Sequence, residues 1–243
     1  MPLQKMRMIV FDFDGVILDS VNPLFSHLDG LRRSLHALGR EFPDDAFFRM
    51  EWGKGTTDFL NRSFEEKLRN ALLAIIRYEE EHLAQSPRYC SLAPTLAIDT
   101  LRNSGIATGI LTNRSFNSLF KHTKKSGFFA DRFDIIVSIG SELVVIPERR
   151  YAITPHHKPD GRSFDPIIAH AASRGIDKNE ILFVGDAHAD LCAARSAGIR
   201  FVGVLTGVLN KREYWRELGL SDKDIINSID DLPKLLGIDH QTK

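Results

Sequence analysis

Two cysteines in 243 residues, Cys90 and Cys192, are too few for a disulfide framework. A reducing compartment suits them at least as well as one bridge would. An excess of one charge is also missing: 32 Lys plus Arg stand against 32 Asp plus Glu, a formal net charge of +0. That balance argues against nucleic acid or an anionic membrane as the main partner, because both need a basic excess or a basic patch. No uncharged apolar run approaches the roughly 18 residues of a membrane span. The first apolar stretch, residues 8–11, is too short for a secretory leader and runs straight into Asp12. A cytoplasmic location is expected. Internal repeats and low-complexity tracts are not visible. What is present is ordinary: 43% hydrophobic and 26% charged residues, in a chain long enough for one large domain or a medium domain carrying a smaller one.

Short apolar runs recur at residues 8–11, 106–111, 135–138, 181–184 and 201–205. They are rich in Ile, Val, Leu or Phe and show little period-two alternation, which predicts strands buried on both faces, as in a parallel sheet. Helical segments at 96–103, 117–125, 166–174 and 189–197 alternate with them. Asp165-Pro166 reads as a helix start, a capping carboxylate followed by proline at the first helical position. Gly105, Gly127, Gly175 and Gly198 punctuate helix ends. The alternation predicts an α/β fold with a Rossmann-like, doubly wound parallel sheet. Residues 21–86 break it. Leu24, Leu28, Leu31, Leu35 and Leu38 form one apolar helix face, and a helix over 64–83 carries Leu68, Leu72, Ile75 and Ile76 on its apolar side. The expected division is an α/β core of residues 1–20 and 87–243 and an inserted helical domain of residues 21–86.

The first strand runs into Asp12-Phe13-Asp14-Gly15. Ligands of open α/β sheets bind beyond the carboxyl ends of the strands. In an extended segment Asp12 and Asp14 point the same way, and two such carboxylates repel each other but can both stay charged if a cation lies between them. A pair of solvated loop aspartates is the other reading. The fourth strand runs into Gly185-Asp186 with Asp190 four residues on, which one helical turn places on the same face. Four carboxylates at one sheet edge form a hard-oxygen site of the kind magnesium prefers; for Asp190 alone, a helix-terminus role reads as well. The second strand ends in Thr112-Asn113, whose hydroxyl, amide and backbone N–H groups suit a phosphate or a helix cap or Asx turn. Lys158, in His157-Lys158-Pro159, lies between the third and fourth strands, and a lysine beside proline also reads as a surface residue.

In this order the four pieces resemble the haloacid dehalogenase superfamily of phosphotransferases. Residues 12–20 look like its first motif, Thr112-Asn113 its second, Lys158 its third, and Gly185-Asp186 with Asp190 its fourth. The insertion resembles the helical cap of the phosphoglycolate phosphatase and β-phosphoglucomutase relatives. The loop over 141–155 is longer and more irregular than in many relatives. The resemblance implies a phosphatase acting on a small phosphorylated metabolite, with Asp12 as nucleophile and Asp14 as acid/base. It implies Mg2+ held by Asp12, the backbone carbonyl of Asp14 and Asp186, with Asp190 in or near that shell. Thr112, the Asn113 backbone and Lys158 would hold the phosphoryl oxygens. In the cap, residues 53–57 match a substrate-facing loop in which Lys54 is the candidate anion contact, with a plain glycine-bearing turn as the other reading. A monomer or small homo-oligomer is expected. The alternatives are a phosphosugar mutase, a phosphonate hydrolase, and a non-catalytic binding protein on the same fold.

Overall fold

Met8–Phe11 offers water nothing to hold: all four side chains are fully buried, and the segment forms β1 at the middle of the sheet. The computed structural model describes residues 3–20, 35–36, 39–41, 49–51, 60–61, 64–74, 88–125, 128–140 and 150–238. The other strands are β2 (Ala107–Ser115), β3 (Ile135–Ile139), β4 (Tyr151–Thr154), β5 (Ile181–Gly185), β6 (Arg200–Val204) and β7 (Ile225–Ile226). All pairings are parallel, in the order β4-β3-β2-β1-β5-β6-β7. The chain winds outward from β1 through β2, β3 and β4, then crosses to the other side of β1 for β5. The switch point of this α/β sheet therefore lies between β1 and β5, where Phe11 pairs with Val184 and the Asp12 N–H donates to the Val184 carbonyl at 2.9 Å.

Successive strand residues serve opposite faces. Met8, Val10, Ile181 and Phe183 join one apolar cluster; Ile9, Phe11, Leu182 and Val184 join the other. The first face is covered by α3 (Asp165–Ser173), α4 (His188–Ala197) and α5 (Arg212–Glu217), through residues such as Ile167, Leu191 and Trp215. The second is covered by α1 (Pro94–Asn103), α2 (Phe116–Lys125) and α6 (Leu232–Leu235), through Ile98, Leu119 and Leu232. Each such side chain contributes about 1.5–3 kcal/mol on burial. Gly105, Gly175 and Gly198 have φ of 79°, 67° and 68°, the left-handed geometry that ends a helix without a Cβ penalty. Gly127 lies outside the described residues.

Three local expectations need correction. Asp165 does not cap its helix. A 3-10 turn over Gly161–Phe164 runs straight into α3, so Asp165 already lies in the first helical turn, and Asp160 caps the combined segment by accepting the Arg162 N–H. Part of the irregular stretch over 141–155 is strand β4. β2 extends past Leu111 through Thr112-Asn113-Arg114 to Ser115, which regains register with Ile139 across an irregularity.

Between β1 and α1 the described residues include helical pieces at 49–51 and 66–74 and no strand. Leu35, Leu60 and Leu72 are buried within the cluster of the α3–α5 face. The Arg49 guanidinium lies 4.1 Å from the Tyr214 ring centroid. Among the described residues no helix is long and apolar enough to cross a membrane. Both cysteines are free thiols.

Candidate active site

Two buried strands deliver acids to the switch point. Asp12 follows β1 and Asp186 follows β5. With Asp190 in the first turn of α4, they place carboxylate oxygens within 4.8 Å of one another, all three residues buried. Asp190 does two jobs. Its Oδ2 accepts the Asp186 and Ala187 N–H groups at 3.1 and 3.0 Å, capping α4, while its Oδ1 meets Lys158. The close approach of Asp190 to the end of β5 requires Gly185, because a Cβ there would sit 2.5 Å from the Asp190 Cβ. Asp186 is gripped by the loop after β6: its Oδ2 accepts the Val208 N–H at 2.8 Å and its carbonyl the Leu209 N–H at 2.9 Å. Gly15 and Gly207 flank the same carboxylate, and a Cβ on either would overlap Asp186 Oδ2.

Lys158 is the cation of the cluster. Its Nζ lies 2.8 Å from Asp12 Oδ1, 2.6 Å from Asp190 Oδ1 and 3.2 Å from the Leu111 carbonyl, using all three ammonium protons. Phe183 lies beneath it, the ring centroid 5.4 Å away. Burial works to lower the ammonium's pKa; Asp12 and Asp190 outweigh it and raise the pKa above its ordinary value. Asn113 secures the backbone that carries it. The Asn113 carboxamide donates to the Lys158 carbonyl and accepts the Lys158 N–H, both at 2.8 Å. Thr112 is buried, and its hydroxyl oxygen accepts the Arg114 N–H at 3.1 Å.

Asp14 is not in this cluster, a correction to the expectation that four carboxylates converge. Its side chain enters a fork from Arg114, with Nη2 to Oδ1 at 2.5 Å and Nε to Oδ2 at 3.1 Å, and accepts the Ser20 hydroxyl at 2.6 Å. β1 ends at Phe11, so the strand rule that sends alternate residues the same way does not extend to Asp14, and the chain turns at Gly15, whose φ is 78°. Lys54 and the rest of residues 53–57 lie outside the described residues.

Burial, first of all, drives the Asp12 carboxyl up to about 7, with Asp190 adding to the rise and Lys158 opposing it. Burial, then Asp190 and Asp12, pushes Asp186 well above the carboxylate range. Three buried carboxylates share one lysine, and among the described residues no cationic side chain makes an ion pair with Asp186. Fully ionised, the cluster carries an excess of two negative charges in a setting where bare charge is costly. An all-oxygen donor set with that deficit fits a hard divalent cation such as Mg2+.

The family model for haloacid dehalogenase-like hydrolases matches residues 9–204. The chain belongs to this family. Among haloacid dehalogenase-like relatives, it is 27% identical to a phosphoglycolate phosphatase of Salmonella paratyphi A, over 98% of this chain and 95% of that protein. It is 24% identical to an N-acetylmuramic acid 6-phosphate phosphatase of Pseudomonas aeruginosa, over 88% of each chain. A haloacid dehalogenase-like hydrolase of Streptococcus pneumoniae shares the fold with a TM-score of 0.66 and 16% identity, over 95% of this chain and 98% of that one.

The sequence places Ser20 inside the first motif and Arg114 beside the second without giving either a role, and nothing in the reading marks the loop Thr206-Gly207-Val208. The Thr206 hydroxyl donates to the Gly15 carbonyl at 2.6 Å, tying that loop to the turn after β1. A glycine two residues past a buried strand was the available signal for Gly207. Nothing local marks Arg114 as the partner of a residue 100 positions away.

Proposed function

We propose that this haloacid dehalogenase-like enzyme is a magnesium-dependent phosphatase that moves the phosphoryl group of a small phosphate monoester to Asp12 and then to water. The observation that carries the reading is the three-carboxylate, one-lysine cluster at the sheet's switch point. Phosphoryl transfer asks mainly for positioning and charge neutralisation, and this cluster supplies a held carboxylate beside fixed positive charge. Asp12, Asp186 and the backbone carbonyl of Asp14 would hold the ion, with Asp190 beside them. When bound, Mg2+ screens the approach of the anionic ester to Asp12.

An Asp12 carboxylate oxygen bonds to phosphorus while the ester P–O bond breaks, and the departing oxygen takes a proton from the Asp14 carboxyl, leaving as the alcohol. A water oxygen then bonds to phosphorus and gives its proton to Asp14. The bond to Asp12 breaks, restoring the carboxylate and releasing inorganic phosphate. Thr112 and the Asn113 N–H would hold the transferring oxygens, with the Lys158 charge beside them. Because the ammonium protons of Lys158 are already placed on Asp12, Asp190 and Leu111, it acts mainly as a fixed charge and as the group that orients Asp12. As part of the same proposal, residues 21–86 would serve as a cap over the leaving group and Lys54 as a contact for its anionic end.

The test is release of phosphate from a panel of small phosphorylated metabolites with Mg2+. Asp12→Asn is expected to fall to background and EDTA to abolish turnover reversibly. Near-wild-type turnover by the variant defeats the assignment of Asp12. Interconversion of sugar phosphates without free phosphate points to the mutase instead.

A further inference from the structure

Among the described residues Arg114 is the only buried arginine, and its guanidinium is built in on every side that the contacts define. Two of its nitrogens grip the Asp14 carboxylate, Nη1 donates to the Ser118 hydroxyl of α2 at 3.1 Å, and the guanidinium carbon lies 5.6 Å from the Phe13 ring centroid. The Ser20 hydroxyl adds a third donor to the same carboxylate. An aspartate's outer torsion is broad and weakly fixed on its own. Two parallel N–H···O bonds define the plane of the carboxyl group, which a lysine, as a point charge, does not. Ser118 and Phe13 in turn hold the fork.

Resting on the phosphatase reading, we propose that Arg114 is a positioning residue for proton delivery: its fork sets where the Asp14 carboxyl meets the departing oxygen. The half-reaction concerned forms the Asp12–phosphorus bond, breaks the ester P–O bond and moves one proton from Asp14 to the leaving oxygen. Esters differ in their need for that proton. A p-nitrophenolate departs with little help because its para-nitro group withdraws and delocalises the charge, whereas a phenolate of nearly the same shape lacks that group and needs more. The fork therefore governs the second far more than the first.

The experiment uses the full chain with saturating Mg2+ and measures kcat/KM for phenyl phosphate and p-nitrophenyl phosphate in the wild type, Arg114→Lys and Arg114→Gln. Displacing a catalytic group by about 1 Å can cost on the order of 100-fold. Both variants are expected to lose about 10- to 100-fold on phenyl phosphate and at most about threefold on p-nitrophenyl phosphate, the limit on which acid catalysis contributes least. In an Asp14→Asn background the same Arg114→Lys change should leave the ratio of the two esters unaltered. Equal losses on both esters, which a purely structural role produces, overturn the proposal. So does a fall in the ratio that persists undiminished without the Asp14 carboxyl. A wild-type enzyme that releases phosphate from neither ester overturns the phosphatase reading, an outcome distinct from either of these.

Discussion

Asp12→Asn, the change that should end turnover, is also expected to stabilise the metal-free protein. Burial lifts the Asp12 carboxyl from 3.8 to about 7. Between those values the native state keeps a proton that the unfolded chain has released, so the unfolded state binds fewer protons and stability falls as pH rises. The favourable contribution is complete below pH 3.8 and is lost as pH climbs through about 7. A shift of about three units, at roughly 1.4 kcal/mol each, corresponds to about 4 kcal/mol of native-state cost above pH 7. Asparagine carries no charge and escapes that cost, while Lys158 keeps Asp190 as its partner at 2.6 Å. The attraction to Lys158 is already contained in that figure, so a net gain of about 2–4 kcal/mol is expected at pH 8 once an imperfect fit of the amide is allowed for, or roughly 5–15 °C in Tm for a chain of this size. The assay is thermal unfolding of both proteins in EDTA at pH 8 and pH 5. The variant should melt higher at pH 8, its advantage shrinking by more than half at pH 5. Magnesium should raise the wild type more than the variant. Equal melting at pH 8, or one gap at both pH values, refutes the argument that Asp12 is held ionised against its burial.

Two further changes probe the supports of the cluster. Gly207→Ala drives a Cβ into the Asp186 carboxylate, so it is expected to weaken magnesium dependence and activity by about 10- to 100-fold, as loss of a ligand's supporting contacts does; a magnesium titration of activity reads this out, and an unchanged midpoint would count against it. Asn113→Ala removes both hydrogen bonds to the Lys158 backbone, which should cost about 1–3 kcal/mol in urea unfolding and lower kcat/KM, whereas unchanged stability would show that the Lys158 loop holds itself.

How far the molecule could be read from its sequence depended on whether the cause was local. β1 and β5 were legible because strands buried on both faces must be continuous apolar runs, and their pairing brings Asp12 beside Asp186. β4 was not. Tyr151–Thr154 is a four-residue edge strand with two residues half-buried, and its pattern resembles a loop. β7 is two residues long. The helix start at Asp165 was misjudged because a carboxylate before proline is a sound cap signal only where no turn of helix precedes it. In the site, residue types were readable where motif order carried them. The pairing of Asp14 with Arg114, and of Asn113 with the Lys158 backbone, joins segments 100 and 45 residues apart, and no periodicity encodes such contacts.

The separation of Asp12 from Asp14 has a functional logic of its own. Two carboxylates with one task would gain from a common environment; two with different tasks need different ones. In this fold the divergence costs a single turn. The strand ends at Phe11, the chain turns at Gly15 with a positive φ, and the Asp14 side chain falls to a different set of neighbours from Asp12. Asp12 stays among acids and shares the Lys158 ammonium with Asp190. Asp14 receives an arginine fork and a hydroxyl of its own, which fix its orientation. If Asp12 and Asp14 act as proposed, a nucleophile whose charge substrate and metal mask, beside a proton carrier with contacts of its own, is an arrangement that two-step phosphoryl transfer can use in both directions of proton movement.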